Sequence, residues 1–238
     1  MTTLAETSLA DFPITRRWPP SRPQAIQLYS LTTPNGVKVS IALEELGLEY
    51  EAHRISFSDN DQFTPEFLSL NPNNKIPAMI DPDGPGGKPL ALFESGAILL
   101  YLAEKTGRLL PADPAGRWQA IQWLMWQMGG AGPMFGQLGF FHKFAGREFE
   151  DKRPHERYRA ETERLLKVLE GRLVGRDWVA DDYSIADIAV APWVRTVVDF
   201  YEAGDITGFE DLTHVPRWLA RFLDRPAVQR GIAVPAAG

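Results

Sequence analysis

AIQLYSLTTPNGVKVSIALEELGLEYEAHRISF, residues 25–57, is the stretch whose reading decides the fold. Ala25-Ile26-Gln27-Leu28-Tyr29 reads as a short strand. Thr32-Thr33-Pro34-Asn35-Gly36 is a turn that opens a helix. Val39, Ala42, Leu43 and Leu46 fall at i, i+3, i+4 and i+7, which is one helical face, and Gly47 is a natural stop. Tyr50 to Phe57 reads as a second strand, so the unit is β–α–β.

Downstream, Pro65–Leu70 reads as a short helix. Lys75-Ile76-Pro77-Ala78-Met79-Ile80 reads as a strand, although Pro77 cannot donate to a ladder. Residues 81–87 form a turn rich in Pro and Gly, and Leu90–Phe93 is the return strand. Ser95 opens a helix with Ile98, Tyr101, Leu102 and Lys105 on one side, closed by Gly107. Beyond Pro114 every stripe is helical. Trp118, Ile121, Met125 and Met128 step by three and four, as do Tyr158, Leu165, Leu169 and Leu173. Ile185, Ile188, Ala189, Pro192, Trp193 and Thr196 form a third stripe, and Val215, Trp218, Leu219 and Phe222 a fourth. The expected class is α/β followed by all-α: a first domain at 25–107, a linker at 108–116 and a helical domain at 117–238. Upstream, residues 1–24 show no period, and Pro19, Pro20 and Pro23 favour an extended arm. That arm reads as a partly ordered tail, with packing on a partner subunit as the alternative.

The 238 residues are globular in composition, 44% hydrophobic and 24% charged. A net charge of −6 argues against nucleic-acid binding, which Lys and Arg drive through phosphate. Cysteine is absent, which excludes a disulfide framework, thiolate zinc sites and chemistry by a protein thiol. No apolar run reaches the roughly 18 residues of a membrane span. The N-terminus lacks the layout of an export signal. The expected location is the cytoplasm.

Several pieces could carry chemistry. Thr33-Pro34-Asn35-Gly36 sits at a helix N-terminus, where unpaired N–H groups and partial positive charge stabilise an anion. A thiolate is such an anion, but any thiol must come from a ligand. The competing reading is a plain helix cap. A cis bond before Pro77 is tolerable and would turn the Ile76 N–H and C=O outward, where an extended peptide could pair with them; an edge-strand proline is the alternative. Glu94-Ser95-Gly96 suits an amino-acid zwitterion, or again merely caps. Ser184-Ile185-Ala186-Asp187 has the form of a capping box, with Asp181 and Asp182 as dipole-favoured neighbours rather than a metal site. His53, His142, His155 and His214 show no metal spacing, and no phosphate-binding glycine motif is present. Residues 129–133 read as a bend in an apolar helix. Trp123, Trp126, Met134, Phe135, Phe140, Phe141 and Phe144 gather round it, mostly as core, with some lining a hydrophobic pocket.

Taken together, TPNGVKVSIALEELGLEY, PEFLSLNPNNKIPAMID, LFESGAILLYLAEKTG, QWLMWQMGGAGPMFGQ and YSIADIAVAPW resemble the glutathione transferase superfamily, and within it the bacterial nu class. The same group includes a yeast nitrogen regulator that acts by protein binding. The resemblance runs from Ile26 to the C-terminus. It implies a thioredoxin-like N-terminal domain, an all-helical C-terminal domain and a homodimer. It implies a cis bond before Pro77, with Ile76 pairing to the cysteinyl part of glutathione. Glu94 and Ser95 fall to the γ-glutamyl end, Gln62 and Lys75 to the glycyl end, and Arg157 to a ligand contact from the second domain. Thr33 and Asn35 fall where the class places its thiol-contacting pair, with Tyr29 and Ser30 as the other candidates. The implied activity is glutathione-dependent disulfide-bond reduction, using reduced glutathione or its disulfide and no metal. A conjugating transferase and a non-catalytic regulator are the alternatives.

Overall fold

The computed structural model describes residues 8–236. The chain divides into two compact units. One runs as far as Leu102 and takes the chain back from Ala227; the other is Ala103–Pro226.

The first unit is built on a four-stranded sheet. Its strands are β1 (Ile26–Ser30), β2 (Tyr50–Arg54), β3 (Ala78–Asp81) and β4 (Leu90–Phe93), in the order β2-β1-β3-β4. β1 and β2 are parallel, with Ile26 opposite Tyr50; β3 runs antiparallel to both β1 and β4. The parallel pair needs a crossover, and the helix Gly36–Leu46 supplies it. The sequence reading began the third strand at Lys75. The ladder instead begins at Ala78, because Pro77 has no N–H to give it.

With α1 as Ile14–Arg17, the crossover helix is α2; Pro65–Leu70 is α3 and Ser95–Thr106 is α4. α2 ends as its sequence predicts. Gly47 takes the left-handed conformation (φ 68°), its N–H donates to Glu44 C=O, and Leu48 N–H reaches back to Leu43 C=O at 3.0 Å. These are the two bonds of a Schellman stop.

Residues 8–24 are not the partly ordered tail that their prolines suggested. Leu9, Phe12 and Ile14 are buried with Tyr29, Ile55, Phe67, Leu70, Ile76, Ala78 and Ile80 in one apolar cluster. A sheet face must be covered by something, and these three apolar side chains join the cover. Polar contacts fix the segment as well: Arg17 pairs with Asp61 at 2.6 Å, and the N–H groups of Ser21 and Arg22 donate to the Glu51 carboxylate at 3.0 and 2.8 Å. Residues 1–7 of the expected arm lie outside the described residues.

The second unit contains α5 (Pro114–Trp126), α6 (Gly132–His142), α7 (Arg153–Arg172), α8 (Ile185–Arg195) and α9 (His214–Leu223). The expected bend at residues 129–133 is a π-helical turn, Gln127–Ala131, that runs straight on into α6. Gly132 N–H donates to Gln127 C=O. That wider turn accommodates Pro133, which has no N–H and whose ring would crowd a regular α-helix. Of the seven side chains expected around this point, Phe135 is buried, Phe140 and Phe144 are exposed, and the others are half-buried.

The end of the chain departs from the expected division. Residues 117–238 do not form one domain, because α10 (Pro226–Gly231) belongs with the first unit. Gly231 makes this possible: a Cβ there would stand 2.6 Å from Ile41 Cα in α2. Its carbonyl accepts the Ser40 hydroxyl at 2.6 Å, and Arg230 pairs with Glu44. The division at the other end falls within α4, not at 108–116.

α8 is buried from Ile185 to Val194, and a buried helix start needs partners for its N–H groups. Ser184 Oγ accepts from Ala186 N–H, and Ser184 N–H donates to Asp187 Oδ2 at 3.0 Å. The Asp187 carboxylate also accepts Val179 N–H at 2.9 Å and Trp218 Nε1–H at 2.8 Å. One side chain thus joins α8, the segment before it and α9. Burial pushes its pKa up to about 6 against those donors, so the folded chain holds the proton more tightly than the unfolded chain does. Asp187→Ala is expected to cost about 3 kcal/mol or more in urea unfolding, because several buried donors lose their acceptor at once. The deficit should widen as pH falls from about 6 towards 4, where the wild type gains stability from that proton.

Candidate active site

The turn between β1 and α2 sets the first part of the site. Gly36 lies so close to the preceding backbone that a Cβ would stand 1.9 Å from Leu31 O and 2.6 Å from Ser30 Oγ. Only glycine fits, and the tight turn brings Thr33 and Asn35 to the helix start. Thr33 Oγ1 accepts Gly36 N–H at 3.2 Å, and its C=O accepts Val37 N–H at 3.0 Å. Thr33 is therefore a cap. A hydroxyl that accepts still has its own proton to donate, so capping and ligand contact are compatible roles for this oxygen.

Asn35 Oδ1 accepts from Lys38 Nζ at 2.8 Å. Lys38 is fully buried, and the same ammonium lies 3.4 Å from Ser95 Oγ at the start of α4. Burial pushes Lys38 down to about 7, while the Glu94 carboxylate pulls it upward. Asn35 and the Ser95 hydroxyl thus meet through one lysine. The sequence reading passed over Lys38. A signal was present: it is the only charged residue from Gly36 to Leu43, in a helix buried on every side there.

Glu94 precedes Ser95 with φ 69°, in the left-handed region that glycine favours. Such a conformation costs on the order of 1–3 kcal/mol and clusters at functional sites. Its C=O accepts Ile98 N–H at 3.0 Å, while its side chain is exposed. The backbone therefore closes the first turn of α4 and aims the carboxylate outward. Ser95 is buried.

The Ile76–Pro77 bond is cis. Pairing of β3 with β4 starts at Ala78 opposite Phe93, so the Ile76 N–H and C=O have no ladder partner among the described residues. Gln62 Oε1 is buried without a hydrogen-bond partner among the described residues. A buried acceptor left unpaired is costly, and a ligand N–H would satisfy it. Lys75 has an exposed side chain, and its carbonyl accepts from Asn71 Nδ2. All these residues belong to the first unit. Arg157 belongs to the second, exposed on α7 in the field of Glu161.

Tyr29 and Ser30 are less suited to contact a ligand. Both are fully buried. Tyr29 stacks on His53 with ring centroids 4.7 Å apart, and burial drives its phenol well above the usual range. Among the described residues no three His, Asp or Glu side chains are grouped so as to hold a metal ion.

The first unit and the helices after it match two family models. Residues 24–104 match the glutathione S-transferase N-terminal domain, and residues 133–226 the glutathione S-transferase C-terminal domain. The chain is also 44% identical over 217 residues to the disulfide-bond oxidoreductase YfcG of Escherichia coli, covering 87% of this chain and 94% of that protein. The chain belongs to the glutathione S-transferase family. Two solved family members are nearer still. A Pseudomonas putida glutathione transferase with one glutathione disulfide bound per subunit is 64% identical, with a TM-score of 0.95, covering 96% of this chain and all of that one. A Burkholderia graminis glutathione transferase with two glutathione molecules bound per subunit is 65% identical, also with a TM-score of 0.95, covering 100% and 99%.

The turn that carries Thr33 and Asn35 in this glutathione S-transferase depends on Gly36. Gly36→Ala is expected to cost about 3 kcal/mol, since backbone, not a flexible side chain, would have to move. Urea unfolding measures it. A loss under about 0.5 kcal/mol, the scale of ordinary surface changes, would show that the turn has room to spare.

Proposed function

We propose that this protein is a glutathione-dependent disulfide-bond reductase that binds glutathione in its first unit and stabilises the thiolate. The observation that carries the reading is the meeting of Asn35 and Ser95 on one buried ammonium, with Thr33 capping the same start of α2. Relatives of 64% and 65% identity that hold glutathione disulfide or two glutathiones support a site with room for two sulfurs.

The residues fit glutathione part by part. The Ile76 N–H and C=O, without a ladder partner among the described residues, suit its peptide backbone, as an added strand would. The outward carboxylate of Glu94 suits its ammonium group. Ser95 suits its γ-glutamyl carboxylate, and the orphan Gln62 Oε1 suits an amide N–H. Lys75 supplies a cation for the glycyl carboxylate. Bound glutathione supplies a thiolate that displaces one sulfur of a disulfide, and a second glutathione thiol completes the exchange, leaving glutathione disulfide and the reduced thiols. Thr33 lowers the thiol pKa by donating its hydroxyl proton to the sulfur, aided by the partial positive charge of the α2 start. The chain needs no cysteine for this, because both reacting sulfurs arrive as ligand and substrate.

We infer further that the protein is of the nu class and a homodimer. Trp118 and Met125, 67% and 51% exposed, lie two helical turns apart on α5, the kind of apolar face a second copy would cover. A reaction fed by reduced glutathione needs a reducing pool, which puts it in the cytoplasm.

A parallel assay tests the reading. A small disulfide and a chloro-aromatic electrophile, each offered with glutathione, should give faster disulfide reduction. Faster conjugation would make the protein a conventional transferase, and no retention on immobilised glutathione would make it a non-catalytic member of the family.

The thiol step has its own test. Thr33→Ala should raise the pKa of bound glutathione, whereas Thr33→Ser should leave it low. Losing one charge-assisted hydrogen bond costs roughly 1.5–3 kcal/mol, or about one to two pKa units. Thiolate absorbance against pH reports it, with circular dichroism to separate the loss of a cap from the loss of a donor. Coincident curves for all three proteins would move the role to Asn35.

A further inference from the structure

We propose that Lys38 is a positioning residue: its buried ammonium holds the Asn35 amide and the Ser95 hydroxyl in the orientations in which they meet the thiol and the γ-glutamyl carboxylate of glutathione. The inference deepens the functional reading above and rests on it.

The argument begins with donor inventory. An ammonium has three donors and no acceptor. While Lys38 is protonated, Asn35 must therefore face it with its oxygen, at 2.8 Å, and its NH₂ is turned to the other side of the amide. The opposite flip of the amide would present oxygen, a repulsive group, to a thiolate. The Ser95 hydroxyl is constrained in the same way. Its oxygen faces Nζ at 3.4 Å, so its proton is directed away from that ammonium. One cation thus sets two neutral groups as donors, and both intended targets, a thiolate and a carboxylate, are anions.

Stability gives no reason for a lysine here. Its flanking residues Val37, Val39, Ile41 and Ala42 are all buried. Methionine would fill similar space without stripping an ammonium of water, and replacing buried ionic groups by apolar ones is often neutral or stabilising. Asn35 and Lys38 are three residues apart, on one side of the helix start. Ser95 comes from the start of a different helix. The side chain reaches across this gap, which a shorter cation could not do. Glu94, adjacent to Ser95, is the charged group that acts on it electrostatically.

The experiment uses the full chain, with Lys38→Met, Lys38→Gln, Asn35→Ala and the Lys38→Met/Asn35→Ala pair. Melting temperature and the pH titration of bound glutathione thiolate absorbance are both recorded. Lys38→Met is expected to melt at or above the wild-type temperature, yet to raise the pKa of the bound thiol by about one unit. Lys38→Gln, which keeps one donor, should fall between. Asn35→Ala should add little on top of Lys38→Met, because the lysine acts through that amide. A bound-thiol pKa unchanged in both lysine variants, or fully additive Lys38 and Asn35 effects, overturns the proposal. If neither lysine variant folds, the wild type decides. The Asn35 side-chain amide signals should then shift with pH at the midpoint of the Lys38 ammonium in NMR, and independence of the two overturns the proposal. Failure of wild-type protein to bind glutathione would instead overturn the functional reading on which this one rests.

Discussion

A fully buried ammonium in the first turn of α2, where the helix is buried on every side, is the constraint around which the first unit is arranged. Such a charge must be met by polar atoms or the helix cannot be buried. Lys38 meets Asn35 from the turn that opens its own helix and Ser95 from the turn that opens α4. The two helix starts are thereby drawn towards one point. Beside that point stand Gly36, pressed against the Leu31 carbonyl, and Glu94, held in a left-handed conformation just before Ser95.

The second unit solves a related problem with the opposite charge. α8 is buried along most of its length, and the Asp187 carboxylate supplies acceptors to Ser184, Val179 and Trp218 from three parts of the chain. Glu170 in α7 does the same for α9, accepting N–H groups from Thr213, His214 and Val215. Each unit thus uses a few charged side chains to tie helix starts to other parts of the chain. In the second unit the result is packing. In the first it is a cluster of oriented donors.

The N-terminal and C-terminal segments complete the first unit. Leu9, Phe12 and Ile14 enter its core, and Gly231 lets α10 lie against α2. Both are contributions from distant sequence to the helix that carries Lys38 or to the sheet beneath it. Prolines at 19, 20 and 23 obscured the first, since they break any period that would have marked the apolar residues before them. The second has no local signal at all. A glycine before the end of a chain reads as a helix stop, and only its proximity to Ile41 gives it a packing role.

The sequence by itself determined the β–α–β unit, the hairpin, the helical remainder and the capping box at Ser184. Each depends on periodicity, turn chemistry or a cap within a few residues, and such local rules survive in any tertiary setting. It also determined that no protein thiol takes part, because there is none. The positions of Thr33, Asn35, Ile76, Glu94 and Ser95 were legible as helix starts and a proline strand, but each was equally readable as an ordinary cap or edge. Tertiary structure decided which of these share a place. It set Asn35 and Ser95 on one ammonium although 60 residues separate them in the chain. It left Gln62 Oε1 buried without a hydrogen-bond partner among the described residues, and it took Tyr29 into the core. Burial and long-range hydrogen bonding depend on what the rest of the chain brings alongside, and no local pattern carries that information.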